Sequence, residues 1–437
     1  MAVKYRTRLT DPLFLLIIGD WLMKCDVCII GAGPAGLMGA IFAAKAGANT
    51  TIVESNTVAG RKLLRTARGR CNLSHTGSID EFIKSYGKFG RFLRHSLHEF
   101  SHEDVRKFFA DLRLQTKVEK DGCVFPITNR ATDVKRVLID NARRLGVRFL
   151  YGKKVRSIKK DISSFVVEAG GDTVEAKSVV IATGGVSWPF TGSAGDGYKF
   201  AESFGHEIVE PKAALIPLVT KETWPGRMRG LGIEKVIITA KLGNKKIKAA
   251  GSMMFTDDGI GGPAVFDLSR MITDFLAESD QSIQIFIDVL CDLDRRQLDN
   301  RIIAGCGTSP KRELAGVLTG ILPRSLAIEF CERLGPKRHI LAGQLLKEQR
   351  AQLIKLIKSM PLTVKSTRPI AEATVTRGGI ETSGIDSKTM QSKLCPGLFF
   401  AGEVINVDGP CGGYNLQIAW STAALAGTSA AKAALKP

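Results

Sequence analysis

The stretch that most restricts what this chain can fold into is residues 25–54, CDVCIIGAGPAGLMGAIFAAKAGANTTIVE. Residues 25–30 form a short apolar run, the pattern of a strand buried on both faces of a parallel sheet. Gly31, Gly33 and Gly36 follow as G-x-G-x-x-G. The first glycine permits a tight turn, the second lets the backbone approach a pyrophosphate, and the third lets the helix pack close to the strand. The N–H groups opening that helix favour a phosphate charge. The helix is expected to reach Ala46, with Gly47 ending it, and residues 50–53 read as the second strand. Glu54 closes that strand, eighteen residues after Gly36. A carboxylate there can accept hydrogen bonds from a ribose diol and would repel a ribose 2′-phosphate. A glycine fingerprint alone is weak, but this one has the strand before it, the helix after it and the acid at the right distance. It predicts a bound dinucleotide without choosing between FAD and NAD.

At 437 residues the chain can bury a large core and is expected to hold two or three domains. It is basic, with 62 Lys+Arg against 43 Asp+Glu. Such an excess suits an anionic cofactor, a nucleic acid or a membrane surface. Long like-charge runs are absent, so a dedicated nucleic-acid arm is not expected. Nine scattered cysteines suit reduced thiols in the cytoplasm better than a disulfide framework. Cys25 and Cys28, three apart in a strand, face opposite sides and read as core residues. No Cys/His set has zinc spacing, so no metal is expected. Residues 13–18 are apolar but far too few to span a bilayer. Met23 stands just before the first strand, so residues 1–23 read as an N-terminal extension outside the fold.

After Glu54, Arg61, Lys62, Arg65, Arg68 and Arg70 place five cations in ten residues, followed by Cys71 and Asn72. Just after a ribose-binding acid, such a loop suits a pyrophosphate and flavin site. Cys71 reads as packed and inert, with a redox thiol as the alternative. His95, His98 and His102 have the spacing of one helix face, read as solvated. Residues 155–158, 164–167 and 172–175 read as a small meander, and 179–183 as a buried strand ending at Gly184. Residues 191–197, TGSAGDG, open a helix, with Asp196 as a candidate N-cap. Residues 205–260 look β-rich and 293–360 mostly helical with a break at Pro323. Strands are expected again at 363–367 and 372–377.

The second anchor is C-terminal. Residues 397–403 read as a strand ending in Glu403, then DGPCGGYNLQ at 408–417, then a small-residue helix over 418–426. A cofactor held at both ends of a chain is long. FAD, with pyrophosphate at the first helix and isoalloxazine at the last, fits better than NAD.

With GRKLL and GRCN at 60–72, ATGG with TGSAGDG, and AGEVINVDGPCGGYNLQ at 401–417, the chain resembles the BaiN-like flavoproteins, related to aminoacetone oxidase and bile-acid enone reductases. The resemblance covers about residues 24–432 and implies an α/β fold: a discontinuous, glutathione-reductase-like FAD-binding Rossmann domain with an inserted β-rich and helical region. Its segments would be 24–204 and 366–437, with the insert at 205–365. Carried over, Gly31, Gly33, Ala35 and Gly36 hold the pyrophosphate and Glu54 the ribose. Arg61 and Lys62 lie along the FAD, and Arg70, Cys71 and Asn72 near the flavin. Val155 pairs its backbone with adenine, Thr183 and Gly184 line the site, and Gly402 and Glu403 meet the ribityl part. Gly413, Asn415 and Leu416 approach the isoalloxazine. The sequence departs from the family at Asp257, where a histidine is usual, at Gly261, where a serine is usual, and at Arg68 and His75.

The expectation is an FAD-dependent oxidoreductase passing hydride between flavin and a small organic substrate, by amine oxidation or enone reduction. Asp257, Tyr414 and Cys71 are the candidate proton donors. No second G-x-G-x-x-G unit appears, so NAD(P)H, as electron donor, would have no domain of its own. The alternatives are a tRNA-directed flavoprotein and a non-catalytic FAD-binding redox protein. Few aromatics and cations clustered at the cofactor argue against nucleic acid.

Overall fold

The structure is a computed structural model that describes residues 22–243, 245–278, 282–335 and 339–436. Most of the expected N-terminal extension lies outside the described residues. Its last two residues, Leu22 and Met23, already belong to the first strand, opposite Thr173 and Val174.

That strand, Leu22–Ile30, lies between Thr50–Glu54 and Asp172–Ile181 and is parallel to both. Arg148–Tyr151 extends the sheet beyond Thr50–Glu54, and Leu398–Phe400 beyond Asp172–Ile181, again in parallel. Ile29, Ile52, Val180 and Phe399 are buried, as a sheet covered on both faces requires. Helices Pro34–Lys45 and Tyr414–Ala434 pack against each other and against the sheet.

Two short strands were expected at 172–175 and 179–183. They are one ten-residue strand whose partner changes halfway. Its first half pairs with Phe165–Ala169 of the meander, and its second with Leu398–Phe400. Lys177, which interrupts the apolar pattern, turns out to Asp26 at 2.9 Å. The final helix is likewise longer than expected, because its alanines continue to pack through Ala434. The three histidines do not share a helix. Ser101 accepts from the Asp104 N–H and starts a new one, so His102 instead stacks on Phe82 at 5.2 Å. Asp196 is not an N-cap; Gly195 holds that position and Asp196 pairs with Lys154 at 3.0 Å.

The chain leaves this body through Ile208–Ala214 and returns through Val375–Ile380, which pair antiparallel. Between them lies a closed six-stranded barrel. Its strands, in sheet order, are Leu218–Thr220, Gly259–Gly261, Lys245–Phe255, Gly232–Leu242, Ile283–Asp288 and Met360–Thr367. Barrel closure is not legible in the sequence, where only β-richness is expected. Helices Arg295–Thr308, Leu314–Leu318, Arg324–Glu332 and Lys347–Lys358 share its core through Leu298, Phe330 and Leu353. The helical run does break before Pro323: one helix ends at Leu318 and Pro323 is the N-cap of the next, Arg324–Glu332. Among the described residues, no helix is long and apolar enough to cross a membrane, and no His/Cys/Asp/Glu group could hold a metal ion.

The first and last helices touch backbone to backbone. A Cβ added at Gly427 would stand 2.1 Å from the Gly39 carbonyl oxygen. Gly427→Ala must therefore push the helices apart, at a cost of about 1–3 kcal/mol. A lowered thermal midpoint is expected, and an unchanged one would contradict this contact.

Candidate functional site

The loop after the first strand shows why three glycines are needed. A Cβ at Gly36 would lie 1.8 Å from the Gly31 oxygen, and Gly31 itself has φ +99° against the Ala182 carbonyl. Gly33, by contrast, has open space where its Cβ would be, and it caps a helix whose first residue is Pro34. Helix N–H groups at that opening are free to meet an anion. Glu54 is oriented by its neighbours. One carboxylate oxygen accepts from the Ala32 N–H at 2.7 Å, and the other from the Asn56 N–H at 2.8 Å and side chain at 2.7 Å.

From here a cleft of about 1490 Å³ runs along the sheet edge to the barrel. Pockets for ordinary small ligands occupy about 300–1,000 Å³, so this one has room for a dinucleotide and a substrate. The cleft wall contains Gly31, Gly33, Ala35, Glu54, Arg61, Lys62, Arg70, Asn72, Val155, Thr183, Gly184, Glu403, Gly413, Tyr414, Asn415 and Leu416. Gly36 and Gly402 stand behind it as packing positions: a Cβ at Gly402 would meet the Ala35 methyl at 2.7 Å.

Midway along, Lys62 reaches Ser187 Oγ at 2.6 Å and Glu403 Oε2 at 2.5 Å. Glu403 Oε1 accepts from Ser187 at 2.9 Å and from the Thr376 N–H at 2.7 Å. This network ties the arginine loop, the ATGG turn, the returning strand and the C-terminal anchor together. Arg70 lies over the Phe125 ring, 3.9 Å from its centroid, and pairs with Glu119.

At the far end, Gly413 has φ +99°, and a Cβ there would lie 2.2 Å from the Ser74 oxygen and 2.7 Å from Asn72 Oδ1. Asn72 Oδ1 is buried without a hydrogen-bond partner, a polar atom waiting for a donor in the cleft. The Asn415 side chain is already spent on its own loop, bonding the Gly409 N–H and the carbonyls of Gly409 and Pro410. Only its backbone is left for a ligand. His75 stacks on Tyr414 at 5.0 Å, and Tyr86 donates to the Tyr414 carbonyl at 3.0 Å. Burial raises the Tyr414 phenol above its usual range.

The candidate proton donors separate. Tyr414 lines the cleft. Cys71 is fully buried behind it, and burial pushes its thiol up to about 12. Asp257 lies outside the cleft wall, exposed and paired with Arg229 at 2.9 Å. The sequence reading missed Asp267, which lines the cleft from the barrel side. Its Oδ1 accepts from the Cys411 N–H at 2.7 Å. Burial pushes its carboxyl up to about 6, against the opposing pull of that N–H and of Arg270. Arg270, on the same helix, holds Asp408 through Nε and donates to the Asp408 carbonyl at 3.0 Å. The signal was present: an acid and an arginine three apart inside the apolar run PAVFDLSRMI.

Donors at a helix opening, an oriented ribose-type acid and an unpartnered amide oxygen at the opposite end fit FAD. Comparison with known proteins agrees: the family described as HI0933-like protein Rossmann domain matches residues 25–429. The chain belongs to that family. The 3-dehydro-bile acid delta(4,6)-reductase of Clostridium scindens is 32% identical over 92% of this chain and 98% of its own length. The ribosomal RNA dihydrouridine synthase of Escherichia coli is 30% identical over 92% and 96%. Among solved structures, a flavocytochrome c3 fumarate reductase superposes with a TM-score of 0.53 at 18% identity, covering 97% of this chain and 81% of that one. A 3-ketosteroid delta1-dehydrogenase from Sterolibacterium denitrificans also gives 0.53, at 13% identity over 94% and 99%. These two show the fold. This HI0933-like chain is an FAD-dependent oxidoreductase, and FAD is its cofactor.

Glu54→Gln replaces one accepting oxygen by an NH₂ group. Loss of a charge-assisted hydrogen bond to the ribose is worth about 1.5–3 kcal/mol, or about 10–150-fold in Kd. Titration of the apoprotein with FAD, followed by flavin fluorescence, is expected to show that weakening. Wild-type affinity would remove Glu54 from the site.

Proposed function

We propose that this enzyme uses its FAD to reduce a carbon–carbon double bond conjugated to a carbonyl, in a small organic substrate held between the cofactor and the barrel. The observation that carries the reading is Asp267, a carboxyl on the barrel wall of the cleft against the 409–413 loop. FAD, once bound and reduced by NAD(P)H, would supply the hydride. The second carbon needs a proton, and Asp267 gives it, with one oxygen held by the Cys411 N–H. The names of the two relatives support the bond type. A 3-oxo, 4,6-unsaturated steroid and a uracil ring both carry a double bond next to a carbonyl. The insert expected at 205–365, whose last barrel strand runs on to Thr367, acts as the substrate cover between the two FAD segments. NAD(P)H reaches the flavin through the open cleft as electron donor. Nine free cysteines suit a cytoplasmic enzyme.

A second reading keeps the chemistry and changes the carrier: the reduced bond lies in a pyrimidine of RNA. Two relatives named ribosomal RNA dihydrouridine synthase, each aligned over 96% of its length, favour it.

Anaerobic stopped-flow mixing with NADH or NADPH is expected to bleach the flavin, and a 3-oxo-4-ene steroid to restore its colour. Failure of every conjugated acceptor to reoxidise it would overturn the reading. The pH dependence separates the two chemistries. A donor at Asp267 must be protonated, so reduction should fall as pH rises through about 6. Amine oxidation, using the ionised carboxylate, would rise through the same range. Asp267→Asn should slow reoxidation by about 100-fold or more, remove that pH limb and leave reduction by NAD(P)H unchanged.

A further inference from the structure

The cations expected at the cofactor are there, from Arg61 to Arg70, but a second group is not. The hairpin of Gly232–Leu242 and Lys245–Phe255 carries Lys241, Lys245, Lys246 and Lys248, all exposed. None of the four has an ion-pair partner among the described residues. Register places them. Lys246 stands opposite Lys241, and Lys248 opposite Thr239. Thr239 in turn stands opposite Phe286 on the next strand. Val236, Ile238, Ala240 and Ala249 point into the barrel, so by strand alternation Lys241, Lys246, Lys248 and Phe286 share its outer face. Two like charges directly opposite destabilise a strand pair. The carboxylate of Asp288 on this face offers no relief, since Lys358 holds it at 2.7 Å.

The same strand leads to the cleft. Ala250 and Met254 of that outer row are part of the cleft wall. At about 3.3 Å per residue, Lys248 is about 7 Å and Lys246 about 13 Å from Ala250 along the strand. Beside the lysines, the Phe286 ring lies half-buried, with Lys241 Nζ 5.3 Å from its centroid. A patch of cations beside a partly accessible ring is what a single-stranded polynucleotide needs: phosphates meet the ammonium groups and a base can stack. A duplex would hide its bases from both the ring and the cleft.

We propose that the outer face of this hairpin docks the backbone of a single-stranded polynucleotide, so that a neighbouring base is presented at the cleft. The presentation of the base rests on the second reading above, a flavin-dependent reductase acting on a pyrimidine of RNA; the docking itself does not.

The test is the anisotropy of fluorescein-labelled oligouridylate with the FAD-loaded protein, read across salt concentrations. Each phosphate contact on a single strand contributes about 0.7 to the slope of log affinity against log salt. Replacing Lys241, Lys246 and Lys248 together by Gln should lower that slope by about 2 and weaken binding at low salt at least about tenfold. Lys246→Glu is the second variant, because it sets opposite charges across the strand pair in place of like ones. It should keep or raise the thermal midpoint and still weaken binding. No binding by the wild-type protein, or unchanged affinity in both variants, would overturn the proposal. So would equal affinity for polyglutamate or for phosphatidylserine vesicles. Binding that depends on the lysines in a protein whose flavin NAD(P)H does not reduce would support the docking face and count against the reductase reading alone.

Discussion

The molecule depends on close contact between backbones at one crossing. Gly39 on the first helix and Gly427 on the last let two segments from opposite ends of the chain meet without side chains between them. That contact brings the helix opening at Gly33 and the loop at Gly413 into one cleft. The last helix is held further by side chains that reach back to the segment after the arginine loop. Trp420 donates to the Leu73 carbonyl at 2.9 Å, and Ser74 to Gln417 at 2.6 Å. These bonds are buried, where an unpaired polar group would be costly, so they fix the relative position of the two halves of the site.

The barrel is joined to this body by chemistry as well as by its two connecting strands. Helix Pro263–Glu278 grips the 408–411 loop from the barrel side: Asp267 takes the Cys411 N–H, and Arg270 holds buried Asp408. Arg377, on the returning strand, donates to the Arg270 carbonyl at 2.6 Å. The 408–411 loop on that side of the cleft is therefore shaped jointly by the cofactor domain and the insert. Breaking such a buried pair by removing one partner leaves the other charge uncompensated. Asp267, on the cleft wall, belongs to the same helix that supplies this grip.

Much of this was legible in the sequence where local pattern and long-range role coincide. The first strand, its glycine turn and Glu54 lie in one unit of thirty residues, and each residue type has one physical reason to be there. The strand at residues 172–181 was not legible as one piece. Its polar interruption is explained only by partners that lie on different segments, one of them more than two hundred residues away. Barrel closure is hidden for the same reason, since pairing of Leu218–Thr220 with Met360–Thr367 leaves no local mark. Asp267 was overlooked because an acid in an amphipathic helix reads as a solvated position until the facing loop is known. Asp257, singled out because it departs from the family, lies outside the cleft wall, so its substitution is compatible with an intact cofactor site.

The partner change along Asp172–Ile181 also bears on how the chain is assembled during synthesis. By the time residue 181 has emerged, the first half of that strand can pair with the meander on one side and the first strand on the other. Its second half has Leu22–Ile30 on one side only until residues 398–400 arrive, after the whole barrel has been made. Val179, Val180 and Ile181 then present an apolar open edge, the kind that pairs with other chains. The growing polypeptide carries this edge for more than two hundred residues of translation, and contacts of such sequence separation form slowly. The barrel, closed within residues 218–367, can complete its own core in that interval. The nascent chain thus passes through a stage with a finished insert and an incomplete sheet, and it is in that stage that self-association competes most directly with folding.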